Sequence, residues 1–187
     1  MHHLAIDIGA SSGRIVYGTL QNNKLVIQEI HRFPNHFSIK EERACWDMDY
    51  LVNEILLGLQ QAKLKGITRC TLGIDTWAVD YVLLDEFDKP LQPAFAYRDG
   101  RTAQTMPKVF AQIPKEIIYE KTGIQFMSFN TIFQLYEERE DILREAKTIL
   151  LIPDYLNFIL TDQLQASGFH SLADKNTPCL TWLLHYT

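Results

Sequence analysis

The chain has 187 residues, 47% of them hydrophobic and 22% charged, which is enough apolar material for one sizeable core with a mixed-sign surface. A net charge of −5 speaks against nucleic acid as a partner, because a phosphate backbone calls for a clustered basic surface. Cys45, Cys70 and Cys179 form no C-x-x-C pair, no apolar run is long enough to cross a membrane and no leader peptide is visible; free thiols in a reducing cytoplasm are the expectation.

In chain order, His2-His3 reads as an exposed leader, and Leu4 to Ile8 as a short strand, apolar except at Asp7. The turn Gly9-Ala10-Ser11-Ser12-Gly13 follows, then a strand from Arg14 to Leu20. Gln21-Asn22-Asn23-Lys24 is turn chemistry, with two residues that tolerate positive φ, and Leu25 to Phe33 is a third strand. Strands joined by such tight turns make an antiparallel meander. A helix follows, capped by Asp49, with Leu51, Ile55, Leu59 and Ala62 at helical spacing and Gly66 where a helix C-terminus favours glycine.

Cys70 to Asp75 and Tyr81 to Leu84 read as strands, with a turn over 85–90 and an extended piece from Pro93 to Tyr97. Beyond Thr102 the pattern is helical, punctuated by Pro114 and Gly123. Thr131 to Ala146 holds one or two helices, Thr148 to Ile152 a buried strand, and Pro153 to Leu160 a last helix. The order implies a mixed α/β domain whose sheet begins antiparallel with helices on its faces. A Rossmann fold or a P-loop is excluded, since their glycine turns run from strand into helix and this one joins two strands.

Several segments carry chemistry. Glycines at both ends of Asp7-Ile8-Gly9-Ala10-Ser11-Ser12-Gly13-Arg14 allow close backbone approach, its successive N–H groups are suited to an anion, and Arg14 adds a positive charge. Asp7 is placed to hold a metal-bound water beside a polyphosphate; an ordinary hairpin turn is the plain alternative. Gly73-Ile74-Asp75-Thr76-Trp77-Ala78-Val79-Asp80 puts carboxylates and a Trp at a strand end, where α/β sheets bind ligands, or else a turn cap and a core Trp. Tyr97-Arg98-Asp99-Gly100-Arg101 offers an Arg fork, or a charged capping turn. Gln125 and Asn130 flank two Phe, with core aromatics and an N-cap at Asn130 as the alternative.

Taken together and in order, D-I-G-A-S-S-G-R, W-D-M-D, G-I-D-T-W-A-V-D, Y-R-D-G-R-T, G-I-Q-F-M-S-F-N-T and I-P-D-Y-L resemble the rhamnulokinase branch of the FGGY carbohydrate kinases, from about Leu4 to Thr161. The resemblance implies a ribonuclease-H-like domain of the actin–hexokinase–Hsp70 type, incomplete over residues 1–161. It implies transfer of the ATP γ-phosphoryl group to the 1-hydroxyl of L-rhamnulose in L-rhamnose catabolism, with Mg2+. By the same resemblance Ala10, Ser11, Ser12, Gly13 and Arg14 contact the ATP phosphates, Asp7 lies near the metal through water, and Thr76, Trp77, Ala78, Asp80, Arg98, Asp99, Gln125 and Asn130 face the sugar. Ala78 departs from the Gly usual there.

The family's catalytic Asp and second ATP-binding domain lie beyond the matched region, so the chain alone is expected to be inactive, and a separate chain carrying the missing domain is one way to complete it. Residues 162–187 do not align with the family pattern and are expected to be a tail, read out of frame from near Gln165. The alternatives are a non-catalytic sugar-binding or interaction fragment, or an FGGY kinase for another ketose or polyol.

Overall fold

The computed structural model describes residues 2–164, so most of the tail expected over 162–187 lies outside the described residues, as does Cys179. The elements are β1 (His2–Ile8), β2 (Ser12–Gln21), β3 (Lys24–Pro34), β4 (Phe37–Lys40), β5 (Arg43–Trp46), α1 (Met48–Leu64), β6 (Thr71–Thr76), β7 (Tyr81–Leu84), α2 (Thr105–Gln112), α3 (Lys115–Thr122), α4 (Thr131–Tyr136), α5 (Glu140–Glu145), β8 (Thr148–Leu151) and α6 (Ile152–Thr161). They fall into two compact units, the first covering residues 2–38, 46–78 and 152–164 and the second residues 39–45 and 79–151.

The first unit is built on a four-stranded sheet in the order β3-β2-β1-β6. β1–β2 and β2–β3 are antiparallel and β1–β6 is parallel, which is the mixed sheet with an antiparallel start that the sequence implied. Asn22 and Asn23 turn β2 into β3 at φ 50° and 59°, the left-handed conformation their side chains tolerate. Period-2 alternation buries Leu4, Ile6 and Ile8 on one face of β1. Ile15 and Phe33 extend that face, and α1 packs on β2 and β3 through Leu51, Ile55, Gly58 and Ala62. Burying Leu51 and Ile55 stabilises by about 1.5–3 kcal/mol each.

Two close approaches depend on glycine. Gly13 lies directly across from Phe33, and a Cβ there would come within 2.2 Å of the Phe33 ring. A Cβ on Gly58 would come within 2.1 Å of Ile15 Cδ1. Gly58 is thus the buried member of the helix stripe where the spacing argument named Leu59.

Two local expectations are corrected, and one pairing is new. The cap of α1 is Asp47, whose side chain accepts from the Tyr50 amide, while Asp49 sits in the first turn, where a negative charge favours the helix dipole. His2 and His3 belong to β1, with His2 Nδ1 2.7 Å from the Tyr17 hydroxyl and His3 Nδ1 2.6 Å from Thr71 Oγ1. The pairing of β4 with β5 was not foreseen, because each is short and the turn between them puts Glu41 and Glu42, rather than Gly or Asn, at φ 49° and 64°.

In the second unit β7 pairs antiparallel with β8, and all four residues of β7 are buried. One core cluster gathers Tyr81, Leu83, Leu135, Ile149 and Leu151; another joins Val109, Ile113, Ile118 and Phe133 from α2, α3 and α4. Phe126 packs edge-on against Phe110 at 5.1 Å, so the core reading of that aromatic holds. Gly123 ends α3 in the left-handed conformation at φ 64°. The extended piece from Pro93 to Tyr97 forms no regular strand; it makes one bridge, Cys45 to Phe95, beside a 2.8 Å bond from the Ala96 amide to the Ala44 carbonyl.

Candidate functional site

The glycine turn is a hairpin whose link is Ala10-Ser11. The Gly9 amide donates to the Ser12 carbonyl at 2.9 Å, and Asn35, just past β3, clamps the turn from outside. The Asn35 amide donates to the Ser11 carbonyl at 2.9 Å and its Nδ2 to the Gly9 carbonyl at 2.8 Å. Asn35 is buried, and nothing in its sequence setting marks it as the turn's anchor. No residue from Gly9 to Gly13 adopts a left-handed φ, so a nest of alternating handedness does not form. The hairpin instead leaves Ala10, Ser11 and Arg14 exposed at the sheet end, while Gly13 is buried under Phe33.

Beside this turn the sheet carries a row of charge on the face opposite its core. Register places Asp75 next to Asp7, Asp7 opposite Arg14, and Arg14 opposite Arg32. Arg14 holds Asp7, with Nε to Oδ2 at 2.9 Å and the terminal nitrogen to Oδ2 at 2.7 Å; both side chains are exposed. Arg32 pairs with Glu29, and that hydrogen bond holds the Glu29 carboxyl below its ordinary range. Two acids side by side and two guanidiniums side by side at one sheet end suit a ligand that brings both anionic oxygens and a cation.

Of the residues expected on the sugar side, Thr76, Trp77 and Ala78 lie in the first unit. The Trp77 ring is half-buried and lies 4.2 Å from the buried Trp46, centroid to centroid, and Phe37 meets Trp46 edge-on at 6.1 Å. Trp46, from the W-D-M-D segment, had no role in the sequence reading, yet it is the wall that sets the Trp77 ring. The Thr76 hydroxyl donates to the Trp77 carbonyl at 2.9 Å. Ala78 is exposed and does not have a left-handed φ, so the methyl replacing the family's hydrogen adds no backbone strain.

Asp80, Arg98, Asp99, Gln125 and Asn130 lie in the second unit. Asp80 is fully buried: Oδ2 accepts from the Tyr97 amide at 2.9 Å and Oδ1 from Gln134 Nε2 at 2.8 Å. The Asp99 side chain is 6% exposed and accepts from Arg43 Nε, the Ala44 amide and the Arg101 amide at 3.0–3.1 Å. Burial pushes the Asp99 carboxyl up, but Arg43 and the Ala44 and Arg101 amides outweigh it and hold it below its ordinary range. Both acids are therefore already engaged within the protein, and the Asp99 bond to the Arg101 amide is the capping turn that the sequence offered as the alternative. Arg98 is exposed, with its guanidinium 5.5 Å over the Tyr97 ring. Gln125 is exposed, and Asn130 precedes α4 without a side-chain cap, its Nδ2 donating instead to the Gln125 carbonyl at 2.8 Å.

A profile of the N-terminal domain of the FGGY family of carbohydrate kinases matches residues 2–173, past the expected boundary at Thr161. The chain belongs to that family. It is 54% identical to a rhamnulokinase of Bacillus subtilis (strain 168), over 86% of this chain and 33% of that protein. It is 49% identical to a rhamnulokinase of Ligilactobacillus salivarius (strain UCC118), over 85% of this chain and 33% of that one. Among solved structures, a xylulose kinase from Rhodospirillum rubrum superposes with a TM-score of 0.74 at 18% identity, covering 90% of this chain and 36% of the other. A gluconate kinase from Lactobacillus acidophilus gives 0.73 at 17% identity, over 87% and 34%. At such identities the likeness establishes the fold, that of the FGGY sugar kinases. The chain spans about a third of the length of the curated relatives it matches.

Sugar kinases of this family use ATP, and magnesium is the expectation that the resemblance adds. Among the described residues no cluster of three or more His, Cys, Asp or Glu side chains is arranged to hold a metal ion. Asp7 and Asp75, adjacent in register, fit a cation that arrives with its own waters on a nucleotide; they do not make an inner cage of protein oxygens. No helix among the described residues is long and apolar enough to cross a membrane.

Proposed function

We propose that the chain is the N-terminal part of an ATP-dependent kinase that phosphorylates L-rhamnulose at its 1-hydroxyl, in the cytoplasm, in the breakdown of L-rhamnose. The observation that carries this reading is the 54% identity to a rhamnulokinase over 86% of the chain, alongside the family match over residues 2–173, which takes in the glycine hairpin, the Trp77 segment and the Tyr97–Arg101 turn.

The hairpin Ala10-Ser11-Ser12-Gly13-Arg14 takes the phosphate side. Arg14 exchanges its exposed partner Asp7 for phosphate oxygens, an exchange that sacrifices little because an exposed ion pair contributes only about 0–1 kcal/mol. Asp7, so released, and Asp75 beside it are the carboxylates that would hold water on magnesium. Magnesium, when bound with ATP, neutralises charge on the polyphosphate. In the first unit the Trp77 face packs on the apolar side of the sugar while Thr76 and Ala78 offer polar atoms; in the second unit Arg98, Gln125 and Asn130 are the polar candidates. The carboxylate that accepts the hydroxyl proton is assigned to none of these residues.

Joining this chain to the remaining part of the Bacillus subtilis rhamnulokinase, on the same or a second polypeptide, should give ATP-dependent phosphorylation of L-rhamnulose. Arg14→Ala should lower kcat/KM about 10²-fold or more. A folded chimera that ignores L-rhamnulose but phosphorylates another ketose contradicts the substrate. One that binds L-rhamnulose without turnover favours a sugar-binding module.

A further inference from the structure

Gln134, on α4 and 2% exposed, makes more side-chain hydrogen bonds than any role so far requires. Its Nε2 lies 2.8 Å from Asp80 Oδ1, 2.9 Å from the Phe129 carbonyl and 3.1 Å from the Val79 carbonyl. Its Oε1 accepts from the Arg101 guanidinium at 2.8 Å. Asp80 passes the constraint on to the Tyr97 amide, while Asp99 ties the Arg101 amide to Arg43 and Ala44. Arg101 is held further by Glu138 at 3.4 Å and by the Phe95 ring at 4.7 Å. The short turn from Tyr97 to Arg101 is thus fixed at both ends through one buried amide. An amide suits this place because it donates to a carboxylate and accepts from a guanidinium at once, which neither a carboxylate nor an ammonium can do.

We propose that Gln134 is a positioning residue: through Asp80 and Arg101 it sets the Tyr97–Arg101 turn, so that exposed Arg98, and not Asp80 or Asp99, is the turn's contact to the sugar. Full burial of Asp80 leaves no surface for a ligand atom, and the Asp99 oxygens already serve three donors. Arg98, between the two fixed ends, is exposed, with its Nε donating to the Tyr97 hydroxyl at 3.2 Å. The assignment of Arg98 to a sugar rests on the rhamnulokinase reading above; the positioning by Gln134 does not.

The test follows backbone amides of the labelled whole chain by magnetic resonance. Gln134→Ala should speed hydrogen exchange at the Tyr97 amide about tenfold or more, as expected when one buried bond network is opened. β1 and β2 should keep their protection. The response of the Arg98 amide to added L-rhamnulose should need correspondingly more sugar. Thr131→Val removes a different bond to the same Val79 carbonyl and should change neither readout, which separates positioning from general loosening. If Gln134→Ala unfolds the unit, Gln134→Met keeps the length of the side chain, removes both the donor to Asp80 and the acceptor for Arg101, and should still free Tyr97. Wild-type protection of Tyr97 in these variants overturns the proposal, as does freed Tyr97 with an undiminished sugar response. A wild-type chain that ignores L-rhamnulose would sink the sugar reading, while exchange at Tyr97 would still decide the role of Gln134.

Discussion

At the residue scale, burial separates the acids that act inside the protein from those left open to solvent. Asp7 and Asp75 sit at an open sheet end, whereas Asp99 is buried among donors and its carboxyl is held low. A folded carboxyl held below its unfolded value contributes stability that is present above the unfolded pKa of about 3.9 and lost as pH falls through the folded value. The second unit should therefore lose stability below about pH 4. Asp99→Asn should flatten that acid limb and lower stability at pH 7 by about 1–3 kcal/mol, read by denaturant titration at several pH values. Gly13→Ala tests the other reason a motif residue is needed. The Phe33 ring lies across from it, so the methyl should lower stability by about 1–3 kcal/mol in thermal unfolding even with no nucleotide present. If the variant is as stable as the parent and only nucleotide binding suffers, the glycine serves the ligand alone.

At the element scale, the elements that sequence made legible are those with strong periodicity or a recognised breaker. The β1–β3 meander was visible because Asn22-Asn23 is turn chemistry and the flanking strands are apolar. Pro114 and Gly123 bracketed α3. The β4–β5 pair was not visible, because Glu41 and Glu42 adopt left-handed φ without the residues that usually signal it. That same feature predicts a stabilising change: Glu41→Asn with Glu42→Gly should raise stability by about 1 kcal/mol, measured by chemical denaturation. Gly58 was hidden for a related reason. Its spacing fits a helix face, but only the approach of Ile15 shows why a side chain is absent there. Gly58→Ala gains up to about 1 kcal/mol in helix propensity and loses about 1–3 kcal/mol to overpacking, so a net loss is expected in thermal unfolding.

At the scale of the whole molecule, the sequence motifs divide between two compact units. The glycine hairpin and the Trp77 segment belong to the first, the Tyr97–Arg101 turn and the Gln125–Asn130 segment to the second. Motif order pointed to the family and to the residues that remain exposed: Ala10, Ser11, Arg14, Ala78, Arg98 and Gln125. What order did not reveal was which polar residues are engaged internally. Asp80, Asp99 and Gln134 read the same in sequence whether they meet a sugar or a backbone amide, and only burial and hydrogen-bond partners distinguish the cases.

We propose for this chain the phosphate side and part of the sugar side of a rhamnulose kinase. That assignment is tested most directly by titrating the labelled chain with MgATP and, separately, with L-rhamnulose, while following each backbone amide. Nucleotide should perturb Asp7 and Ala10 to Arg14, and sugar should perturb Thr76 to Ala78 and Arg98, with millimolar midpoints of the order of 4 kcal/mol in binding free energy. Saturating ligand that leaves those amides unmoved, or moves a different set, would contradict it.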